Sequence, residues 1–271
     1  MNVTQALATA RDLGLSRLDA SLLLAHRLQQ RREWLIAHPE APVAAPLLQA
    51  FCHDCGRSAD GMPVAYLTGR REFMGLELRV TADVLVPRPE TETLVQWAIE
   101  CVRALPPSPA PRVIDLGTGS GAIALALAAA CPGIDITATD ASAAALAVAR
   151  ANAQRLGAKL RLASGDWWSA VPGERFDLAV ANPPYVAVGD PHLAALRHEP
   201  QQALVAGAAG LDALRCIIEG ARPHLSGWLL LEHGWDQAQA VQRLLSQAGF
   251  SSIEARNDLN GVARCSGAQL D

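Results

Sequence analysis

From residue 112 onward, short apolar runs alternate with segments of helical periodicity. Strands are expected over 113–116, 134–139, 160–163, 176–181 and 228–231, and helices over 122–130, 143–156 and 211–221. A last helix, around 241–248, precedes two further expected strands over 252–256 and 262–266. Such alternation is typical of a mostly parallel sheet with helices on its faces, because parallel strands need a crossover connection. The sequence therefore predicts a doubly wound α/β fold for this part of the chain.

The part of the chain before this pattern has a different texture. Leucines recur there at helical spacing, and Ser16 followed three residues later by Asp19 is typical of a helix N-terminus. Apolar–polar alternation over 64–69 and 76–80 then predicts a hairpin or small sheet. We therefore expect a small helical bundle over 1–62, a β-hairpin connection over 63–85 and an α/β domain over 86–271.

Composition excludes several classes of protein. Half of the 271 residues are hydrophobic and 18% are charged, which is typical of a globular chain and not of a disordered or fibrous one. No apolar stretch reaches the roughly 20 residues of a membrane span, and charged residues interrupt the N-terminus where a signal peptide would be apolar. We therefore expect a cytoplasmic protein with no membrane partner.

Net charge and cysteine spacing argue against two kinds of ligand, nucleic acid and a metal ion. The net charge of −4 disfavours direct nucleic-acid binding, since phosphate neutralisation needs an excess of basic side chains. Of six cysteines, only Cys52 and Cys55 have ligand-like spacing, and no matching pair lies nearby. Their spacing also suits one face of a helix. We expect no metal site.

A glycine-rich loop joins the first strand of the α/β part to its first helix. It is Asp115-Leu116-Gly117-Thr118-Gly119-Ser120-Gly121-Ala122, and glycines let a ligand approach the backbone closely. Read as Gly-x-Gly-x-x-Ala with Asp140 about 20 residues on, it fits a dinucleotide-binding fingerprint. The longer D-x-G-x-G-x-G pattern resembles the first motif of S-adenosylmethionine-dependent methyltransferases. Asp140 would then bind the ribose hydroxyls, and its alternative role is a helix N-cap.

Two tryptophans follow the third expected strand, directly after Asp166. There the Asp166 carboxylate can accept from the amine of an adenine, and the Trp167 indole can pack on its ring. The alternative is that Trp167 and Trp168 are both buried under a loop. We assign Trp167 to the ligand and Trp168 to packing.

Asn182-Pro183-Pro184-Tyr185 follows the fourth expected strand, at the edge where such sheets bind ligands. An amide or aromatic amine is a poor nucleophile, and it needs acceptors for both of its hydrogens. The Asn182 side-chain carbonyl and the Pro183 backbone carbonyl supply them, and Tyr185 can stack on the planar group. We therefore predict that Asn182, Pro183 and Tyr185 are catalytic, chiefly by orienting the substrate. A mere strand-ending turn is the alternative.

Several segments together resemble the bacterial release factor glutamine methyltransferase family, PrmC/HemK. They are PVAYLTG at 63–69, REF at 71–73, VPRPETE at 86–92, the glycine loop with ANPPY at 181–185, HEP at 198–200 and LLEHG at 230–234. The resemblance implies a Rossmann-like enzyme that methylates N5 of the glutamine in the Gly-Gly-Gln motif of class 1 peptide chain release factors. The tail at 261–267 departs from the family pattern, which puts the last strand in question.

The resemblance also implies roles for individual residues. The methyl donor, S-adenosyl-L-methionine, is expected to bind Gly117, Thr118, Gly119, Ser120, Gly121, Asp140, Trp167 and Asn182. The substrate amide is expected at Asn182, Pro183, Pro184 and Tyr185. Members contact the release factor with both domains, so the helices of 1–62 are expected to serve as a docking surface, on a monomer.

Three other functions stay open on the sequence. An N6-adenine methyltransferase of DNA or RNA also carries N-P-P-Y and flips its base out of the helix; the acidic balance counts against it. A dehydrogenase leaves N-P-P-Y without a role. A non-catalytic protein that binds the donor has no reason to retain Asn182.

Overall fold

The computed structural model describes residues 1–270 of the chain. These residues form two compact units. The first unit comprises Met1–Arg70 with Ala194–His198, and the second comprises Arg71–Leu193 with the described residues from Glu199 onward. Each unit has its own apolar core.

The first unit is helical, as predicted. Its helices are α1 (Val3–Asp12), α2 (Arg17–Leu28), α3 (Arg32–Ala37), α4 (Ala45–Ala59) and α5 (Val64–Thr68). Helix α2 begins where the Ser16 hydroxyl accepts from the Asp19 backbone nitrogen at 3.0 Å. Cys55 is buried on α4, and burial raises the pKa of its thiol to about 12. Cys55 therefore packs as an apolar side chain.

The prediction of a strand over 64–69 is wrong, because Val64–Thr68 form the short helix α5 and Gly69 ends it. Pro63 stands at its N-cap, and Gly69 ends it with a φ of 71°, in the left-handed region that favours glycine. The hairpin lies directly after it, as β1 (Arg70–Phe73) and β2 (Leu76–Arg79). Met74 and Gly75 make the two-residue turn, both with positive φ.

The second unit is built on a seven-stranded sheet with the order β5-β4-β3-β6-β7-β9-β8. The strands are β3 (Arg112–Leu116), β4 (Asp135–Asp140), β5 (Arg161–Ser164), β6 (Phe176–Ala181), β7 (Leu225–Glu232), β8 (Ser251–Asn257) and β9 (Ala263–Gln269). The helices are α6 (Thr91–Ala104), α7 (Ala122–Ala130), α8 (Ala143–Leu156), α9 (Asp212–Gly220) and α10 (Ala238–Gln247). Strands β3 to β7 pair in parallel. The predicted α/β fold class is confirmed.

The carboxyl ends of the parallel strands lie along one edge of the sheet. Strands β3 and β6 are neighbours in the centre, and Leu116 stands opposite Ala181 in their register. The glycine loop after β3 and the N-P-P-Y turn after β6 therefore begin side by side. This is the position at which open α/β sheets bind ligands.

The unusual tail forms an interior strand. Strand β9 pairs antiparallel with β7 on one side and with β8 on the other. Gly267 lies under Trp97, and a Cβ built on it would be 2.5 Å from the Trp97 ring. The tail is therefore packed into the sheet. Within residues 1–270, no helix has the length and apolar character needed to cross a membrane.

Candidate active site

A cavity of about 450 Å³ lies at the carboxyl edge of the sheet. The predicted site residues on its wall are Gly117, Thr118, Gly119, Ser120, Asp140, Trp167, Asn182 and Pro184. Three other predicted site residues do not line the cavity. Gly121 is the N-cap of α7, Pro183 is buried, and Tyr185 packs against an apolar cluster. Most of the predicted residues therefore share one ligand-sized cavity.

The glycine loop is held against the end of the neighbouring strand. The backbone nitrogens of Gly117 and Thr118 both donate to the Thr139 carbonyl, at 2.9 and 2.8 Å. Gly117 has a φ of 76°, and a Cβ on it would lie 3.1 Å from the Trp167 indole. Glycine at this position therefore allows both the turn and the close approach of the indole.

Asp115 fastens this loop from inside the protein. Its Oδ2 accepts from the Thr118 hydroxyl at 2.6 Å and from the Ala124 backbone nitrogen at 3.3 Å. No described residue bonds to its Oδ1. Burial raises the pKa of this carboxyl to about 7. Asp115 is fully buried. It therefore stabilises the conformation of the loop and is not exposed to a ligand.

We expect the stability of the unliganded protein to fall, relative to an Asp115→Asn variant, from about pH 4 to about pH 7 and to level off above that. The folded-state pKa of about 7 lies above the ordinary value of 3.8. Between these values the folded state binds more protons than the unfolded chain, so raising the pH destabilises it. Urea unfolding of both proteins across this range measures the difference. A difference independent of pH would show that burial does not perturb Asp115.

Asp140 closes the loop from the other side. Its Oδ2 accepts from the Gly119 backbone nitrogen at 2.9 Å, and its Oδ1 accepts from that of Ser142 at 2.8 Å. The N-cap interpretation of Asp140 is wrong, since Ser142 caps α8 by accepting from Ala145. A carboxylate oxygen that accepts one hydrogen bond retains capacity for another. Asp140, on the cavity wall, can therefore also accept from a ligand.

The two adjacent tryptophans have separate environments. Trp168 is buried, donates from its indole nitrogen to the Ile217 carbonyl at 2.8 Å and stacks on His224. Trp167 lies on the cavity wall beside Asp166. Its φ of 48° is unusual for a residue with a side chain. The packing role assigned to Trp168 is confirmed.

The N-P-P-Y turn is held by two partly buried polar contacts. The Asn182 side-chain nitrogen donates to the Thr91 hydroxyl at 3.1 Å, and the Tyr185 hydroxyl donates to Glu232 Oε1 at 3.4 Å. Burial raises the pKa of Glu232 to about 7 and raises that of Tyr185. Stacking of Tyr185 on a substrate stays a prediction.

Sequence reasoning missed several residues that support this site. Gln237 donates from its side-chain nitrogen to the Tyr185 carbonyl at 3.0 Å, and its Oε1 accepts from the Gly234 backbone nitrogen. A Cβ on Gly210 would lie 2.2 Å from the same Tyr185 carbonyl oxygen. No local pattern marks either residue, because both act on a distant backbone segment.

A partly buried ion pair lies beside the cavity. Arg88 lies on the cavity and pairs with Glu199, which is 5% exposed and also accepts from the Val86 backbone nitrogen at 3.1 Å. Arg88 belongs to the VPRPETE segment and Glu199 to the HEP segment. Both segments stand out in the sequence, but the sequence does not predict that they form an ion pair. Among residues 1–270, no cluster of three or more His, Cys, Asp or Glu side chains is arranged to hold a metal ion.

Comparison with known proteins gives concordant matches. A model described as PrmC N-terminal domain matches residues 2–69, and one described as Methyltransferase small domain matches 100–209. The chain is 50% identical over 264 residues to a release factor glutamine methyltransferase of Bordetella pertussis, covering 96% of this chain and 97% of that protein. It is 46% identical over 286 residues to that of Burkholderia pseudomallei, covering 100% and 99%.

Solved structures show the same fold at low identity. The catalytic domain of hMettl16 in complex with MAT2A 3′UTR hairpin 1 aligns with a TM-score of 0.59 and 16% identity, over 83% of this chain and 80% of that one. A 16S rRNA N2 G1207 methyltransferase of T. thermophilus, in complex with AdoMet and guanosine, aligns with a TM-score of 0.55 and 19% identity, over 74% and 50%. These likenesses support a Rossmann-like methyltransferase fold.

Proposed function

Because the chain belongs to the release factor glutamine methyltransferase family, we propose that it methylates the side-chain amide of the glutamine in the Gly-Gly-Gln motif of class 1 peptide chain release factors. The methyl donor is S-adenosylmethionine. One observation carries the chemistry: Asn182 lines the cavity and its side-chain nitrogen donates to the Thr91 hydroxyl, so its Oδ1 remains available as an acceptor. An amide substrate requires an acceptor there.

The donor fits the chemistry of the cavity. When bound, S-adenosylmethionine supplies an electrophilic methyl group on its sulfonium. The glycines of the loop, Gly117, Gly119 and Gly121, let a ligand approach the backbone closely. Asp140 has acceptor capacity for the ribose hydroxyls, and Trp167 offers an apolar ring for the adenine. Thr118 and Ser120 complete the loop, and Asn182 borders the donor and the amide.

The substrate amide is held for in-line attack. Asn182 Oδ1 and the Pro183 carbonyl accept its two hydrogens, which aims the nitrogen lone pair at the methyl group. Pro183 and Pro184 restrict the backbone that carries these acceptors. Orientation of this kind contributes on the order of 7–11 kcal/mol to a reaction between two bound groups. As the N–C bond forms, the C–S bond of the donor would break and leave a neutral thioether. The methylated nitrogen would then lose one proton to water, so a strong base is unnecessary.

The docking surface for the protein substrate is assigned to the helices of residues 1–62. This region carries large apolar side chains exposed by more than a third: Met1, Leu13, Leu18, Ile36 and Leu47. Large apolar side chains that stay exposed are a common component of protein-binding surfaces. The release factor would thus be held by more than its Gly-Gly-Gln loop. The chain is proposed to act as a monomer, without a nucleic-acid partner.

Methyl transfer from labelled S-adenosylmethionine tests the function directly. A purified class 1 release factor, the same factor with its motif glutamine changed to alanine, a short Gly-Gly-Gln peptide and nucleic acid are offered in parallel. Label on the unaltered factor, and on neither the alanine factor nor nucleic acid, is the expected result. Efficient labelling of the short peptide would contradict the docking role of residues 1–62, and labelling of nucleic acid alone would transfer the substrate to adenine.

We expect donor binding to change tryptophan fluorescence through Trp167. A Trp167→Phe variant should lose most of the change that S-adenosylmethionine causes, because the ligand would contact this indole directly. Trp168→Phe is the matched control, since Trp168 is buried against Ile217 and His224. Titration of both variants with S-adenosylmethionine measures the effect. An unchanged signal in Trp167→Phe would remove Trp167 from the donor site.

A further inference from the structure

Between the hairpin and helix α6, residues 80–88 form a segment that belongs to neither a helix nor a strand. The segment follows Arg79, the last residue of β2. Several of its residues line the cavity of the candidate site: Asp83, Val84, Leu85, Pro87 and Arg88. We call residues 80–88 the strap. Because no helix or strand pairing satisfies its backbone, its position depends on contacts from other parts of the chain.

The first end of the strap is held by Asn152, a fully buried residue of α8. Asn152 Oδ1 accepts from the Arg79 backbone nitrogen at 2.7 Å. Its side-chain nitrogen donates to the Arg79 carbonyl and to the Ser120 carbonyl, both at 2.9 Å. Ser120 belongs to the glycine loop and also lines the cavity. Asn152 therefore joins the beginning of the strap to the glycine loop and uses both of its amide hydrogens to do so.

The glycine loop that Asn152 contacts is itself packed on α8. Gly121 has a φ of 83°, and a Cβ built on it would lie 3.3 Å from the Cβ of Ala149, three residues before Asn152. Asp140, which precedes α8, accepts from the Gly119 backbone nitrogen. The strap is thus fastened to a loop whose own position is fixed.

The second end of the strap is held by Glu199, which is 5% exposed. Glu199 Oε2 accepts from the Val86 backbone nitrogen at 3.1 Å, and its Oε1 pairs with Arg88. Arg71 of β1 adds a hydrogen bond from its Nε to the Pro87 carbonyl at 3.1 Å. A buried carboxylate that loses such partners is costly. The strap is therefore anchored at both ends by buried polar side chains that lie far from it in sequence.

We propose that Asn152 and Glu199 are positioning residues for the methyl donor, because they hold the two ends of the strap and thereby fix one wall of the cavity. This inference rests on the proposed function for the identity of the donor, S-adenosylmethionine. Neither residue lines the cavity, so both act through the strap. A wall that is already ordered spares the donor the free energy of ordering it on binding.

Asn152→Ala and Glu199→Ala each release one end of the strap. Calorimetric titration with S-adenosylmethionine should show Kd raised by about 5- to 30-fold in each variant. In methyl transfer to a release factor, the KM for the donor should rise, and kcat at saturating donor should stay within about threefold, since the N-P-P-Y turn is unaltered. A loss of kcat without a change in Kd would contradict the proposal.

Glu199→Gln separates the backbone anchor from the ion pair. A glutamine oxygen can still accept from the Val86 nitrogen, whereas the ion pair with Arg88 is lost, so Kd should stay within about threefold. A loss as large as that of Glu199→Ala would contradict anchoring through the strap backbone. Thr137→Val removes a buried hydroxyl of β4 that accepts from Arg161. It is the control for loss of a buried hydrogen bond and should bind the donor normally.

The double variant Asn152→Ala with Glu199→Ala distinguishes one shared strap from two independent effects. The two side chains bond to different residues, so independent effects on Kd would multiply. If both act on the strap, releasing its second end adds little. The Kd of the double variant should then exceed that of the weaker-binding single variant by about threefold or less. Multiplied losses would overturn the proposal.

Hydrogen–deuterium exchange of the unliganded proteins measures the strap directly. Amides of residues 80–88 should exchange about tenfold faster in Asn152→Ala and in Glu199→Ala than in the unaltered protein, and those of β7 at an unchanged rate. Faster exchange in β7 as well would indicate general destabilisation and contradict specific anchoring. Failure of the proposed function is seen separately, because the unaltered protein would then not bind S-adenosylmethionine. Unchanged exchange of the strap in both variants would overturn the anchoring itself.

Discussion

Asn182→Ala should lower methyl transfer by about 100- to 1,000-fold while leaving the affinity for S-adenosylmethionine within about threefold, as for loss of one preorganised polar group. The substitution removes the acceptor that orients the amide nitrogen. Most donor contacts are assigned to the glycine loop, Asp140 and Trp167, which the substitution leaves in place. Single-turnover transfer to a release factor measures the first quantity, and calorimetric titration with S-adenosylmethionine measures the second.

The control for Asn182→Ala is Asn257→Ala, an asparagine exposed at the end of β8, which should transfer methyl groups at the normal rate. Thermal unfolding of both variants separates a chemical effect from misfolding. Near-normal turnover in Asn182→Ala would contradict the orienting role. A loss of donor affinity as large as the loss of turnover would assign Asn182 chiefly to the donor.

Asp140→Ala should weaken S-adenosylmethionine binding by about 1–3 kcal/mol, or roughly 5- to 150-fold in Kd. Two effects combine: the ribose hydroxyls lose a charged acceptor, and the Gly119 nitrogen loses the partner that holds the loop at 2.9 Å. Asp140→Asn retains one oxygen acceptor of the same shape and should lose less. Calorimetric titration of each variant with S-adenosylmethionine measures the change in Kd.

Asp135→Ala is the matched control for Asp140, because Asp135 begins the same strand and is exposed. It should bind the donor normally. Unchanged affinity in Asp140→Ala would limit Asp140 to supporting the loop. Unfolding of the unliganded variants shows how much of the effect comes from the loop: a large loss of stability without ligand would indicate that the loop itself is displaced.

The parts of the fold that were predicted correctly depend on local sequence. Strand–helix alternation from residue 112 placed the parallel strands, because each apolar run is too short for a helix and most of the connections between them show helical periodicity. The segment at 64–69 was predicted wrongly for a related reason. Five residues between Pro63 and Gly69 are too few for alternation and helical spacing to be told apart, and the two flanking residues decided for a helix.

The candidate site also has parts that local sequence predicts and parts that only the tertiary structure decides. The sequence by itself determined the loop from Gly117 to Gly121 and the turn that begins at Asn182. Glycine frees the backbone and proline restricts it, and both effects are local. Only the tertiary structure decided what holds them: Thr91 lies 91 positions from Asn182, and Glu232 lies 47 from Tyr185. Such contacts form between strand and helix ends that meet at one edge of the sheet. A hydrogen bond requires two groups to be close in space, and the local sequence around each residue does not show which distant residue will be close to it.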